Sequence, residues 1–158
     1  MASTALVSVA LLAYNGEQRL EETLDSLLAQ EHENLVVNVL DNASTDRTPG
    51  LIDAFARRDS RVTHHRHART ISGVETANRG LALSSGKYFM WAGQDDVLDP
   101  RMISECVRVL EATPDAVLAY PRAEFIDANG RPMADSSFSV PTTWTPAGSP
   151  CGTGASRS

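Results

Sequence analysis

Two adjacent carboxylates end the stretch "MWAGQDD", residues 90–96. Asp95 and Asp96 repel one another, and aspartate is poorly suited to a strand, so the pair needs a reason. One reason is a site for a hard cation. Mg²⁺ or Mn²⁺ commonly takes one or two protein carboxylates and completes its shell with water and phosphate oxygens. The other is that the pair ends a strand and opens a turn toward Asp99. The pair alone leaves both readings open.

Three other groups could do chemistry. Tyr14, followed by Asn15, stands where an apolar run stops, and its ring could stack on a flat base or pack at a helix start. Asp41 precedes "NASTD". As an acceptor-only group it could choose among nucleobases by their ring N–H, or bond the N–H groups of its own loop. His64, His65 and His67, with Arg66 and Arg69, form a basic cluster. His64 and His65 would point to opposite faces of a strand, which argues against shared zinc ligation. Arg69 could touch a phosphate or close over a ligand.

The elements that must position these groups follow from hydrophobic periodicity. "ALVSVALLAY", residues 5–14, is nearly continuous apolar sequence, as a strand buried on both faces requires. Asn15 is expected to cap a helix with Gln18 as its capping-box partner, and Leu20, Leu24, Leu27 and Leu28 give that helix one apolar stripe. "LVVNVLD", residues 35–41, is a second strand, and Thr48-Pro49 opens a second helix with Leu51, Ile52 and Phe55 inward. Residues 61–67 are expected as a third strand. A third helix follows with Val74, Ala77, Leu81 and Ala82 as its marked face.

"KYFMWA", residues 87–92, is a fourth strand, and Asp99-Pro100 caps a fourth helix whose inner face holds Ile103, Cys106, Val107 and Leu110. "AVLAY", residues 116–120, is expected as a fifth strand. Residues 124–133 read as a hairpin turning at Asn129-Gly130. This alternation predicts an α/β fold with a doubly wound, mainly parallel sheet. Such sheets bind ligands beyond the carboxyl ends of their strands, where Tyr14, Asp41, the His64–Arg69 segment and Asp95-Asp96 all fall.

Composition narrows the function. A net charge of −6 over 158 residues argues against a nucleic-acid partner, which would need a basic face. Two cysteines are too few for a disulfide framework, and Cys106 fits buried packing. The first Lys or Arg is Arg19, so no basic segment precedes the first apolar run, and that run is too short to span a membrane. The expected location is cytoplasmic, with membrane association open. No Gly-x-Gly-x-x-Gly follows the first strand, which disfavours a dinucleotide-binding dehydrogenase. Residues 136–158 form a second region; the last 18 residues lack Leu, Ile and Val, and are expected to be disordered or foreign to the domain of residues 1–135.

The pieces "VSVALLAYNGEQRLEETLDSLLAQ", "LVVNVLDNASTDRT", "ANRGLALSSGKYFMWAGQDD" and "DPRMI", taken in this order and spacing, resemble glycosyltransferase family 2, the inverting GT-A nucleotide-sugar transferases. The resemblance covers about residues 6–120. It implies that Leu12 and Tyr14 contact the base, that Asp41 hydrogen-bonds it, and that Asp96 holds Mn²⁺ or Mg²⁺ on the diphosphate with Asp95 toward the ribose or sugar. The implied partners are a nucleotide-diphosphate sugar, with a UDP-sugar as first expectation, and a sugar, lipid or polysaccharide acceptor. Two features depart from the pattern. Gly93 stands where many relatives carry another Asp, and none of the late acids, Glu124, Asp127 and Asp135, matches the family's general base. The chain therefore reads as the donor-binding half of such an enzyme, truncated at the acceptor half. Apolar surface left bare in that way could support a homo-oligomer. The alternative is a nucleotide-binding fragment without transfer activity.

Overall fold

The computed structural model describes residues 4–127, 130, 131 and 133. Four strands, β1 (Val7–Ala13), β2 (Leu35–Asp41), β3 (Val62–Arg66) and β4 (Tyr88–Gly93), form one sheet in the order β3-β2-β1-β4. All neighbouring pairs are parallel, with Val7 opposite both Leu35 and Tyr88. Parallel neighbours need crossovers, and these are α1 (Leu20–Leu28), α2 (Thr48–Arg58) and α3 (Gly73–Ala82); α4 (Met102–Ala112) follows β4.

One core lies between the sheet and α1, α2 and α4. Val9, Leu11, Val37 and Val39 meet Leu20, Leu24, Leu27, Ile52, Phe55, Ile103 and Val107 there. Each such apolar side chain contributes about 1.5–3 kcal/mol by leaving water. On the other face α3 lies close against β1, because Gly80 has no Cβ and Ala10 fills the space one would need. The amino end of α4 is held from outside: buried Gln30 accepts from the Ile103 amide (3.0 Å) and donates to the Asp99 carbonyl (2.8 Å).

The predicted fold class stands, and four local expectations are corrected. Asn15 and Gln18 do not cap α1, which starts at Leu20; Asn15 takes φ 49° and bonds the neighbouring loop instead. Asp99 lies ahead of the α4 N-cap and closes a turn on the Arg101 amide (2.9 Å). The buried face of α3 is Thr76 and Gly80, while Val74 and Leu81 are exposed, because so close a helix–sheet contact admits only small side chains.

Residues 116–120 do not form a strand. Val117 and Leu118 are 94% and 67% exposed, and among the described residues the run pairs with neither edge strand of the sheet, β3 or β4. The hairpin is present in outline. Met133 donates to Phe125, Gly130 donates to Asp127 at φ 75°, and the Asp127 carboxylate accepts from the Arg131 amide. Asn129, Asp135 and the region 136–158 lie outside the described residues.

Candidate nucleotide and metal site

Because all four strands run the same way, their carboxyl ends make one rim. Ala13 stands beside Asp41, Asp41 beside Arg66, and Leu12 beside Gly93. A cavity of about 280 Å³ opens on this rim, lined among others by Leu12, Tyr14, Asn42, Thr76, Gln94 and Asp95. A larger groove between α4 and the segment ahead of β2 lies at the amino ends of the strands, away from the place where doubly wound sheets bind ligands.

The loops after β1 and β2 are laced together. The amides of Asn15, Gly16 and Glu17 donate to Ser44 Oγ (3.0 Å), Thr48 Oγ1 (2.8 Å) and Asp46 Oδ2 (3.2 Å). In return, the amides of Thr45 and Arg47 donate to Asn15 Oδ1 (2.9 Å) and Glu17 Oε2 (3.0 Å). The "STD" residues therefore serve the "NGE" loop, and Tyr14, 48% exposed, projects from a fixed base. Burial would raise the Asp46 carboxyl, but hydrogen bonds from the Thr48 side chain and from the amides of Thr48 and Glu17 outweigh it and hold Asp46 below its usual range.

Asp41 is fully buried. Its Oδ1 accepts from the Ser44 amide (2.8 Å), which holds Ala43 at φ 61°. Its Oδ2 has no hydrogen bond; it lies 3.4 Å from Arg66 Nε and 3.6 Å from His64 Nε2. The other His64 nitrogen, Nδ1, is 2.7 Å from Asp53 Oδ1 on α2. His65 faces the opposite side of the sheet, 3.0 Å from Asn38 Oδ1. The adjacent histidines thus diverge as their spacing requires. No cluster of three or more His, Cys, Asp or Glu suited to a metal occurs among the described residues. Burial, with help from His64 and His67, pushes the His65 imidazole below its ordinary value, and burial followed by Arg79 does the same to His67.

Asp95 and Asp96 are exposed at the tip of β4. Among the described residues the one hydrogen bond to either carboxylate is from the Gly93 amide to Asp96 Oδ2 (2.8 Å). Both carboxylates converge: a Cβ at position 93 would lie 3.0 Å from Asp96 Oδ2 and 3.2 Å from Asp95 Oδ1. Two convergent, largely unbonded carboxylates on an open rim fit the donor set that Mn²⁺ or Mg²⁺ accepts from protein when phosphate supplies the rest. Glycine at 93 keeps the space between them clear.

The rim thus gathers Leu12, Tyr14 and Asp95 around the cavity, with Asp96 next to Asp95. Asp41 and Arg69 are not among the lining residues. Arg69 is exposed beyond the end of β3. Asn42 and Gln94 do line the cavity; the sequence places Asn42 at a strand end on the rim, but sequence reasoning gave neither residue a role. Each side-chain amide grips a main chain at two points: Asn42 takes the Ile71 amide and carbonyl (both 2.9 Å), and Gln94 takes those of Tyr14 (2.7 and 3.1 Å). An amide immediately after a strand end was the available signal, since it matches a peptide group in donors and acceptors.

The sequence profile of glycosyl transferase family 2 matches residues 8–151. The chain belongs to that family. Its relatives include an uncharacterized glycosyltransferase of Haemophilus influenzae, 34% identical over 111 residues, a match covering 70% of this chain and 34% of that protein. The glycosyltransferase GlyG of Streptococcus pneumoniae is 28% identical over 114 residues, covering 72% and 38%. Among solved structures, the mannosyltransferase PcManGT of Pyrobaculum calidifontis, in complex with GDP-Man and Mn²⁺, superposes with a TM-score of 0.64 at 25% identity, covering 69% of this chain and 33% of that one. S. aureus TarS 1–349 in complex with UDP-GlcNAc gives a TM-score of 0.64 at 19% identity, covering 77% and 38%, and establishes the shared GT-A fold. This family 2 chain spans about a third of the length of those relatives. No helix among its described residues is long and apolar enough to cross a membrane.

Proposed function

We propose that this domain binds the donor of a glycosyl transfer, a nucleoside-diphosphate sugar held with Mn²⁺ or Mg²⁺, with a UDP-sugar as the first candidate. The observation that carries the proposal is the convergence of Asp95 and Asp96 at the mouth of a cavity that Leu12 and Tyr14 also line. Tyr14 would stack on the base beside Leu12. Asp41 would read the base through Oδ2, its oxygen without a hydrogen bond. Arg69 would reach a phosphate from the loop after β3. Asp96, with Asp95 beside it, would hold the cation, which supplies Lewis-acid stabilisation of a leaving diphosphate. The family 2 relationship and the GDP-Man and Mn²⁺ of PcManGT support this assignment.

For the whole protein, we infer transfer of the sugar with inversion to a hydroxyl of a sugar, lipid or polysaccharide acceptor. Inversion needs a general base on the face opposite the leaving nucleotide. A second reading, nucleotide binding without transfer, rests on a specific observation. Among the described residues the one acid that lines the cavity is Asp95, which with its neighbour Asp96 is assigned above to the cation.

Calorimetric titration with UDP and with GDP, each with Mn²⁺ and with a chelator, tests the donor site. The expected result is binding of one nucleotide that requires the metal. Absence of binding by both would remove the proposal. Release of sugar from a bound UDP-sugar would then separate transfer chemistry from binding alone.

A further inference from the structure

The ladder between β1 and β4 runs from Val7 opposite Tyr88 to Leu12 opposite Gly93, and stops. Beyond it the two chains part, and the cavity opens between Ala13 and Tyr14 on one side and Gln94 and Asp95 on the other. The Gln94 side chain spans the opening. Its Oε1 accepts from the Tyr14 amide and its Nε2 donates to the Tyr14 carbonyl. A carboxamide carries the donor and acceptor of a peptide group, so it stands in for the next rung of the ladder while letting the main chains separate. The Gln94 main chain is anchored in turn, its carbonyl accepting from Thr23 Oγ1 on α1 (2.9 Å). Gly16 leaves the clamp its space, because a Cβ there would overlap Gln94 Oε1.

We propose that Gln94 is a positioning residue that sets the spacing between the base end of the donor site, at Tyr14, and its cation end, at Asp95 and Asp96. This rests on the donor-site reading above. Both halves of the Gln94 amide are spent on the Tyr14 main chain, so it acts through Tyr14 and not on the ligand. A ligand gripped at both ends gains from the second grip only when the two ends are in register. Loss of the clamp therefore harms a ligand that spans the site more than a ligand that touches one end.

The experiment compares three probes by calorimetry on wild type and Gln94→Ala: uridine, pyrophosphate with Mn²⁺, and UDP with Mn²⁺, or the guanosine series if GDP is the nucleotide bound. The expected result is a loss of about tenfold for the diphosphate, against less than about twofold for nucleoside and for pyrophosphate. Gln94→Met fills similar space with no strong donor or acceptor for the Tyr14 main chain and no added charge beside Asp95; it should show the same pattern, and serves if the alanine variant does not fold. Gly16→Ala crowds the clamp, so it should weaken UDP binding in wild type and add little in Gln94→Ala. Equal losses for all three probes, or no loss for any, overturn the positioning role while leaving the donor site standing. A wild type that binds neither diphosphate overturns the donor site and this role together.

Discussion

On one side of the cavity, the loops after β1 and β2 are laced by hydrogen bonds running from Asn15 to Thr48, around a carboxylate that is fully buried. On the other, the loop after β4 carries two exposed carboxylates, of which, among the described residues, a single oxygen accepts a single bond. Both are acid-bearing strand ends of one sheet, yet their acids do different work. Asp46 spends both oxygens, and Asp41 its Oδ1, on main-chain N–H groups that hold the loop's shape. Among the described residues, Asp95 and Asp96 leave every oxygen but Asp96 Oδ2 without a hydrogen bond, as their proposed role toward a cation needs. Under the proposed function, loss of Asp41 or Asp46 costs stability, whereas loss of Asp95 or Asp96 costs affinity alone.

The sharpest way to break that distinction is at Asp41. Asp41→Ala strands the buried Ser44 amide and removes the carboxylate facing His64 and Arg66, at a cost of about 3 kcal/mol. Urea denaturation of wild type and variant measures it, and a cost below about 1 kcal/mol would show that the loop stands without this acid. Asp46→Ala should cost about 1 kcal/mol at neutral pH, since it removes bonds to the Thr48 and Glu17 amides. The Asp46 carboxyl sits below its ordinary 3.8 when folded, so its contribution is present above that value and is lost as pH falls through the folded one. Wild type and variant should therefore converge in strong acid. A gap that persists there would trace the cost to packing.

Much of the fold and the rim was legible in the sequence, and the rest was hidden for physical reasons. Apolar runs and Pro-marked helix starts located four strands and four helices, and topology alone put Tyr14, Asp41 and Asp95-Asp96 on one rim. Periodicity misplaced the α3 face because Val74 and Leu81 repeat correctly, while the short distance to β1 selects Gly80 and Thr76. It also made a strand of residues 116–120, since an apolar run does not reveal whether it docks on a sheet edge. The Asn42 and Gln94 clamps join residues 29 and 80 positions apart, which no local pattern encodes.

A smaller effect belongs to the histidines behind the rim. His65 and His67 sit below 6.5 when folded, so protonation favours the unfolded chain; their cost is absent above that pH and grows as pH falls below it toward the folded values. The denaturation midpoint should drop between about pH 7.5 and about pH 5.5, and His65→Gln should flatten part of that drop. An unchanged slope in the variant would assign the drop to other groups. The smallest effect on stability is expected at the open side. Asp96→Asn should leave the urea midpoint unchanged, because the side chain is exposed and its single bond, from Gly93, can be made by the amide oxygen.

The decisive quantity for that same variant is affinity. Titrating wild type and Asp96→Asn with UDP and GDP at fixed Mn²⁺ tests whether the "QDD" carboxylates serve a metal-dependent donor site. The account predicts metal-dependent binding in wild type and a loss of about 100-fold in a variant that remains as stable. Equal affinity in the two proteins, or binding indifferent to Mn²⁺, would contradict it and leave Asp95-Asp96 as the end of a strand.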